Sequence, residues 1–556
     1  MKSVTFIFLA LLAITVLLVL TPLVMILYAS FTNIQPGLVG AVTTENYVRI
    51  FQQGSLISDA EETFLISIGA VVFSLAIGVP LAWLVAQTDI PHTKFLEGAI
   101  FSTIVVPPFY VGISWIFLFA NGGLLPTFTK FLFDRPIALD VFSLTAVILA
   151  EGLSGAAVIF LFSLVTLKSI DSSLLEAAMI CGANQSTIAR KIVIPLLQPT
   201  ILLGVILVFV RTVEDFGTPA LLGSGKIFTL ATAMYFSLSS QSFTGIPRYG
   251  VSAAIGIFLL LIIILPLVLG RRIVYRGGRS FYLVSGKGSK IRRKNLRAFR
   301  YVAFLAALIY VLFSSVLVFG ATLIRSFYVF VGGPVTLSNY DALIDVPLIT
   351  RSIVNSIILA VAGAGLTMLF GLGLSYVSHR TNVRGRSLLD ILGAVPTIIP
   401  GLVLGLGALW FWSFTPLLSS LIAVIVTVMI RFLPYSLNTL AASFDSIDIS
   451  LDEAGRVIGA SLPTTFRKIT APLMRNGFIY GYSILYGYFM IELATPLFLA
   501  GATTEVMPVV AYIYTIDGFY GEASAIVMVN MLMILPVILF LWRQRKSALL
   551  ATPISV

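Results

Sequence analysis

The chain has 556 residues, of which 58% are hydrophobic and 11% charged, with a mean hydropathy of +1.03. Soluble folds average about 45–50% apolar and about 25% charged residues, so a water-soluble enzyme is excluded and a polytopic membrane protein is indicated. The net charge of +11 does not mark a nucleic-acid binder: positions 271–300 hold eleven Lys and Arg and no acid, and the rest balances 24 basic against 24 acidic residues.

A membrane crossing needs about 20 apolar residues. Positions 4–29 are uncharged and longer than the apolar core of about 7–15 residues in a cleavable signal, so they read as a retained first span. Further spans are expected at 64–86, 99–120, 141–167, 200–222 and 251–270. After the basic segment they resume at 301–324, 353–377, 388–412, 416–441, 477–500 and 523–542. The expectation is therefore an all-α polytopic membrane protein of twelve transmembrane helices. Its divisions are a first membrane domain at 1–270, a basic linker at 271–300 and a second membrane domain at 301–556. With the N-terminus inside, the inner segments carry 26 basic residues and the outer loops seven, which places both termini in the cytoplasm. The single cysteine, Cys181, excludes an intramolecular disulfide, and with two histidines, His92 and His379, a His/Cys metal centre is not expected.

The chain is internally duplicated. At a shift of 277 residues, SIDSSLLEAAMICGANQSTIARKIVIPL at 169–196 meets SIDISLDEAGRVIGASLPTTFRKITAPL at 446–473, with 15 of 28 positions identical. The same shift lays Asp215-x-x-Thr218-Pro219 on Glu492-x-x-Thr495-Pro496. Further upstream the shift becomes 293 and pairs Thr88 with Thr381, Glu97 with Asp390 and Pro107 with Pro400, which fits a shorter outer loop in the second half. Six spans per half put the two bundles in the same orientation, related by a parallel pseudo-two-fold, with a pathway between them. In the repeated loop Ser169 or Asp171 caps a short helix, Gly182 ends it or permits a close approach, and a basic helical stretch at 187–194 stops at Pro195.

Two intramembrane sets stand out, because ionisable groups in a span are costly and usually face a partner or a cavity. Arg211, Glu214 and Asp215 lie late in the fifth span, and Glu492 lies at the matching place in the eleventh. Arg211 and Asp215, four apart, have the spacing to neutralise each other on a helix. Arg431 in the tenth span is the candidate partner of Glu492, either as a structural pair or in the pathway. Thr218-Pro219 and Thr495-Pro496 are expected to end or kink their helices.

The pattern Glu-Ala-Ala-x3-Gly-x9-Ile-x-x-Pro resembles the cytoplasmic loop of binding-protein-dependent ABC importer permeases. Glu176, Ala177, Ala178, Gly182, Ile192 and Pro195 match it in the first copy, and Glu453, Ala454, Gly459, Ile469 and Pro472 in the second, where Gly455 replaces the third residue. The resemblance implies that these loops are coupling helices seated in two copies of a cytoplasmic ABC ATPase. It also implies an extracytoplasmic solute-binding protein and alternating access driven by ATP. The string Gly223-Ser224-Gly225-Lys226-Ile227 lacks the upstream glycine and the Ser/Thr of a phosphate-binding loop, so ATP and Mg are expected on the separate subunit and no cofactor in this chain. The run 214–223, EDFGTPALLG, and the fusion of two halves are similar to permeases of the ferric-iron type. The same architecture serves thiamine, phosphonates, phosphorylated sugars and polyamines, and an ion-coupled carrier with Asp215 and Glu492 at midplane is the rival class. Candidate pathway residues are Arg211, Glu214, Asp215, Thr218, Arg431, Glu492 and Thr495. Membrane lipid is an expected contact of the basic linker, and a bacterial or archaeal cytoplasmic membrane the expected location.

Overall fold

The computed structural model describes residues 2–52, 55–104, 106–238, 248–277, 294–330, 333–448, 450–451, 454, 457, 459 and 461–551. The described chain is built of helices, with a single isolated bridge between Thr88 and Lys294. In chain order the helices that frame the molecule begin with α1 (Lys2–Ser30), α2 (Ser55–Gln87), α3 (Pro108–Phe119) and α4 (Leu144–Ser169). They continue with α5 (Ser172–Ile180), α6 (Ile194–Glu214), α7 (Gly217–Leu222) and α8 (Tyr249–Gly277). The second half contains α9 (Phe299–Ser326), α10 (Pro347–Arg380), α11 (Ser387–Ile398) and α12 (Gly401–Ser413). It ends with α13 (Leu421–Asp445), α14 (Ala471–Ile491), α15 (Ala494–Leu499) and α16 (Tyr520–Ala551).

Among the described residues ten helices are long and apolar enough to cross a membrane, or eleven if α11 and α12, bent by 111°, form one broken span. The sequence led to twelve. The segment that makes the difference, expected at 477–500, is α14. It is 21 residues long, about 32 Å at 1.5 Å per residue, but Tyr480, Tyr482, Tyr486 and Tyr488 lower its hydropathy. The third expected span is also not one helix. A helix over Thr93–Thr103 ends before Pro107-Pro108, and α3 starts anew there. Pro400 does the same before α12. Both prolines take extended backbone angles as N-caps, and each restarts the helix where a missing N–H costs nothing.

The duplication is visible as packing. The first helix of each half lies along the helix after the proline break of the other half, α1 on α12 and α9 on α3. Gly407 permits the first crossing, since a Cβ there would run into the Pro22 carbonyl. At the second, Ser114 Oγ donates to the Val318 carbonyl at 3.2 Å and lies 3.0 Å from Thr322 Oγ1. Tyr110 Oη donates to Asn530 Oδ1 at 3.0 Å, adding a third tie between halves.

The duplication extends to the far ends of α1 and α9, where the asparagines keep the 293-residue shift and the carbonyls they hold lie 296 apart. Asn46 Nδ2 donates to the Ser30 and Thr32 carbonyls, and Asn339 Nδ2 donates to the Ser326 and Tyr328 carbonyls at 2.9 and 3.0 Å. Each amide clamps a chain reversal, buried at 1% and 2% exposure. Asn339→Ala is expected to leave the Ser326 carbonyl unmet and the Tyr328 carbonyl held by Arg325 alone, at a cost of about 1–3 kcal/mol, read as a lower thermal midpoint of the detergent-solubilised protein.

The expected linker is shorter than its basic composition suggested. Positions 271–277 continue α8, and 299–300 already belong to α9. Of the linker glycines read as flexible, Gly277 closes α8, and Gly278, Gly286 and Gly288 lie outside the described residues. Its far end is fastened: the Lys294 N–H donates to the Gln87 carbonyl at 2.8 Å and the Leu296 N–H to Asp89 Oδ1 at 2.8 Å.

Candidate functional site

The repeated loop folds as the spacing required, with one exception. Asp171, rather than Ser169, is the N-cap of α5: its Oδ1 accepts the Ser173 N–H at 2.9 Å. Asp448 Oδ1 accepts the Ser450 N–H at 2.9 Å in the second copy. That backbone bond holds the Asp448 carboxyl below the usual carboxylate range. Because the folded value is depressed, the cap is complete at neutral pH and is lost as pH falls through that value. At the other end the Ala183 N–H returns to the Ala178 carbonyl and the Gly182 N–H to the Met179 carbonyl, both at 3.0 Å. This paired closure requires a left-handed residue. Gly182 supplies it at φ +80° and Gly459 at φ +81°, with no atom within 4 Å of a Cβ at either. The glycines thus set a backbone conformation, not a close approach.

The exception concerns Pro195. The basic stretch does not stop there: Ser186–Glu214 is one helical run, carried past the proline by a π-turn at Ala189–Val193. A second π-turn at Phe466–Thr470 precedes Pro472 at the same offset. The wide turn loosens the i→i−4 ladder where the proline ring would otherwise meet it. On the loops themselves Glu176, Ala177 and Ala454 are exposed, while Glu453 lies outside the described residues. Ile180 and Val457, equivalent in the repeat, are 87% and 86% exposed. The pair Leu174 and Leu451 is exposed too. Apolar side chains are thus bared at matching places on the two loops. Asp171→Ala removes the cap of a nine-residue helix, an expected cost of about 1 kcal/mol, checked by faster amide hydrogen exchange confined to α5.

The second site lies between the halves. α6 ends at Glu214 and α14 at Ile491, and in each case the next residue, Asp215 or Glu492, turns extended. The carboxylate then caps the short helix beyond. Asp215 Oδ2 accepts the Thr218 N–H, and Glu492 Oε1 the Thr495 N–H, both at 2.9 Å. The break therefore precedes Thr-Pro, and Pro219 and Pro496 sit in the first turn of α7 and α15, where proline is tolerated. Because Asp215 has left the helix, it does not pair with Arg211 as the spacing suggested.

Arg431 of α13 forms the hub. Its guanidinium lies 3.3 Å from Glu492 Oε1 and 3.6 Å from Glu214 Oε1, joining the two halves, and it donates to Thr495 Oγ1 at 3.3 Å. Gly401, opening α12, leaves the space the guanidinium fills, since any Cβ there would collide with it. One acid escaped the sequence reading. Glu151 of α4 is 2% exposed; its Oε2 accepts from Thr212 Oγ1 at 3.5 Å, and Arg211, Asp215 and Thr218 neighbour it. Its only sequence signal was a lone carboxylate in an otherwise apolar run. Among the described residues no three such groups stand close enough to hold a metal ion.

Aromatic side chains close the space between halves beside α7 and α15. The ring of Phe216 lies 4.7 Å from Tyr235 and 5.2 Å from Tyr512, and Tyr235 lies 5.9 Å from Phe498. Gly217 is hemmed in by Phe109 and Leu493. On the other side of α7, a cavity of about 570 Å³ is lined by Asp59, Ala220, Leu221, Phe236 and Arg248 among others.

Residues 78–276 and 363–545 each match the family described as binding-protein-dependent transport system inner membrane component. Similar proteins include the ferric transport system permease protein FbpB of Actinobacillus pleuropneumoniae, 28% identical over 89% of this chain and 72% of that one. The putative ferric transport system permease protein FbpB 1 of Haemophilus influenzae is 27% identical over 83% of this chain and 73% of its own. The probable ABC transporter permease protein y4fN of Sinorhizobium fredii is 26% identical over 70% of each.

Proposed function

Because the chain belongs to the family of binding-protein-dependent transport system inner membrane components, we propose that it carries ferric iron inward through the bacterial or archaeal cytoplasmic membrane. An extracytoplasmic binding protein delivers the ion, and two copies of a separate ABC ATPase, which hold ATP and Mg, dock on the loops around α5 and Gly459. Both termini and the basic linker lie on the cytoplasmic side, the linker against anionic lipid. The domains run 1–270 and 301–556.

The observation that carries the cargo assignment is the charge between the halves. Glu214 and Glu492 meet Arg431 across the halves, and Glu151 and Asp215 stand near Arg211 in the first half, four carboxylates against two guanidiniums. An excess of hard oxygen donors suits a hard cation and opposes an anion. The relatives that span both halves and bear ferric transport in their names support the same cargo. ATP-driven closure of the ATPase pair draws the two loops together and opens the pathway outward; hydrolysis returns it inward.

The test is reconstitution of the permease with its ATPase and binding protein in proteoliposomes. ATP-dependent accumulation of radioactive iron is expected. Accumulation of phosphonate or thiamine in place of iron would replace the cargo. Uptake driven by a membrane potential without ATP would replace the class.

A further inference from the structure

The contacts of Arg431 are unequal. Its bond to Glu492 is made within the second half and is reinforced by Thr495, which Glu492 and Arg431 both hold. The contact with Glu214 is longer, crosses between halves, and involves the most exposed of the three side chains, at 25% against 15% and 7%. Within the first half, Asp215 follows Glu214 directly, and buried Glu151 has Asp215, Arg211 and Thr218 as neighbours. The first half thus presents carboxylates toward a cation that the second half supplies.

We infer that Arg431 is a tethered substitute for the cationic cargo. In the closed arrangement its guanidinium fills the place where the passing ion meets Glu214. The ion meets Glu214, with Asp215 next to it, when Arg431 withdraws with Glu492. Guanidinium does not lose its proton in proteins, so it vacates the place only by moving. Exchange of one cation for another keeps the carboxylates compensated throughout, which matters because an uncompensated buried charge is strongly unfavourable. Gly401 is part of the device, since its missing side chain leaves the room the guanidinium occupies beside α12. This inference rests on the cargo being a cation and adds the residue that competes with it.

The purified permease–ATPase complex is titrated with Tb³⁺, a hard trivalent probe whose luminescence the bordering Tyr435 and Tyr488 sensitise. Arg431→Gln is expected to tighten Tb³⁺ binding by about tenfold or more, Arg431→Lys to leave it near the unmodified level, and Glu214→Gln added to Arg431→Gln to abolish the gain. A monodisperse Arg431→Gln complex with unchanged affinity overturns the inference, as does a gain that survives Glu214→Gln. Should Arg431→Gln not assemble, Gly401→Ala crowds the guanidinium out without deleting it. It is expected to shift Tb³⁺ affinity the same way, and no shift there counts equally against the inference. Iron uptake by the unmodified complex is read separately. Absence of uptake with a Tb³⁺ gain removes the iron assignment and leaves the tethered cation standing; uptake without the gain removes the tethered cation.

Discussion

Valine at position 182 should abolish ATP-driven uptake while the protein still inserts and purifies normally. Gly182 has a φ of +80°, a conformation that costs an ordinary L-residue about 1–2 kcal/mol and a β-branched one more. Nothing lies near enough to clash, so the whole penalty falls on the backbone closure of α5. At about 1.4 kcal/mol per factor of ten, the closed loop loses most of its population, and with it the docking surface bearing Ile180. Gly459→Val should act alike through the second copy, whose φ is +81°. The measurement is uptake alongside ATPase activity of the reconstituted complex; ATPase activity should lose its response to the loaded binding protein. Gly320→Ala is the control, at a position with ordinary φ and nothing within 4 Å. Normal uptake by Gly182→Val would refute the coupling role of the loop.

The second large effect concerns Glu492. Glu492→Gln leaves the Arg431 guanidinium with the longer contact to Glu214 as its carboxylate partner, beside the Thr495 hydroxyl, and weakens the cap of α15. Breaking a buried pair costs about 3–5 kcal/mol, which a thermal-unfolding midpoint in detergent will register. Exchanging the charges, Arg431→Glu with Glu492→Arg, would restore a simple pair. Here it should fail: a carboxylate at 431 faces Glu214, and an arginine at 492 cannot accept the Thr495 N–H. Recovery of stability and uptake in the double exchange would show that Glu214 and Thr495 contribute little.

What was legible in the sequence was what local patterns control. The apolar runs marked the helices, and the repeat located the loop, with Gly182 and Gly459 as its conformational pivots. The Arg431 and Glu492 pairing followed from the cost of a lone charge in a span, and the structure places them 3.3 Å apart. What hid was set by tertiary contact. Glu151 meets Thr212 from 61 residues away, and no local pattern predicts that meeting. The aromatic closure draws Phe216 and Tyr235 from one half and Phe498 and Tyr512 from the other; the phenylalanines read in sequence as ordinary span filling, and the tyrosines fell between the expected spans. The helix breaks at Asp215 and Glu492 were assigned to the prolines that follow, because the proline signal is strong and a carboxylate cap is silent until its amide partner is known. The count of spans differs because α14 is helical throughout, but its four partly exposed tyrosines lower its hydropathy.

The π-turns at Ala189–Val193 and Phe466–Thr470 have a mechanical corollary. An α-helix advances about 100° per residue, and a wide turn absorbs one extra residue without ending the helix. Every side chain on the loop side of each wide turn is therefore rotated by about 100° from the register that α6 or α14 alone would impose. Sliding the extra residue by one helical position twists the stretch it crosses through the same angle. The two joints stand between the repeated loops and the spans that end at Asp215 and Glu492, so a twist at either loop and a shift of its wide turn are the same movement.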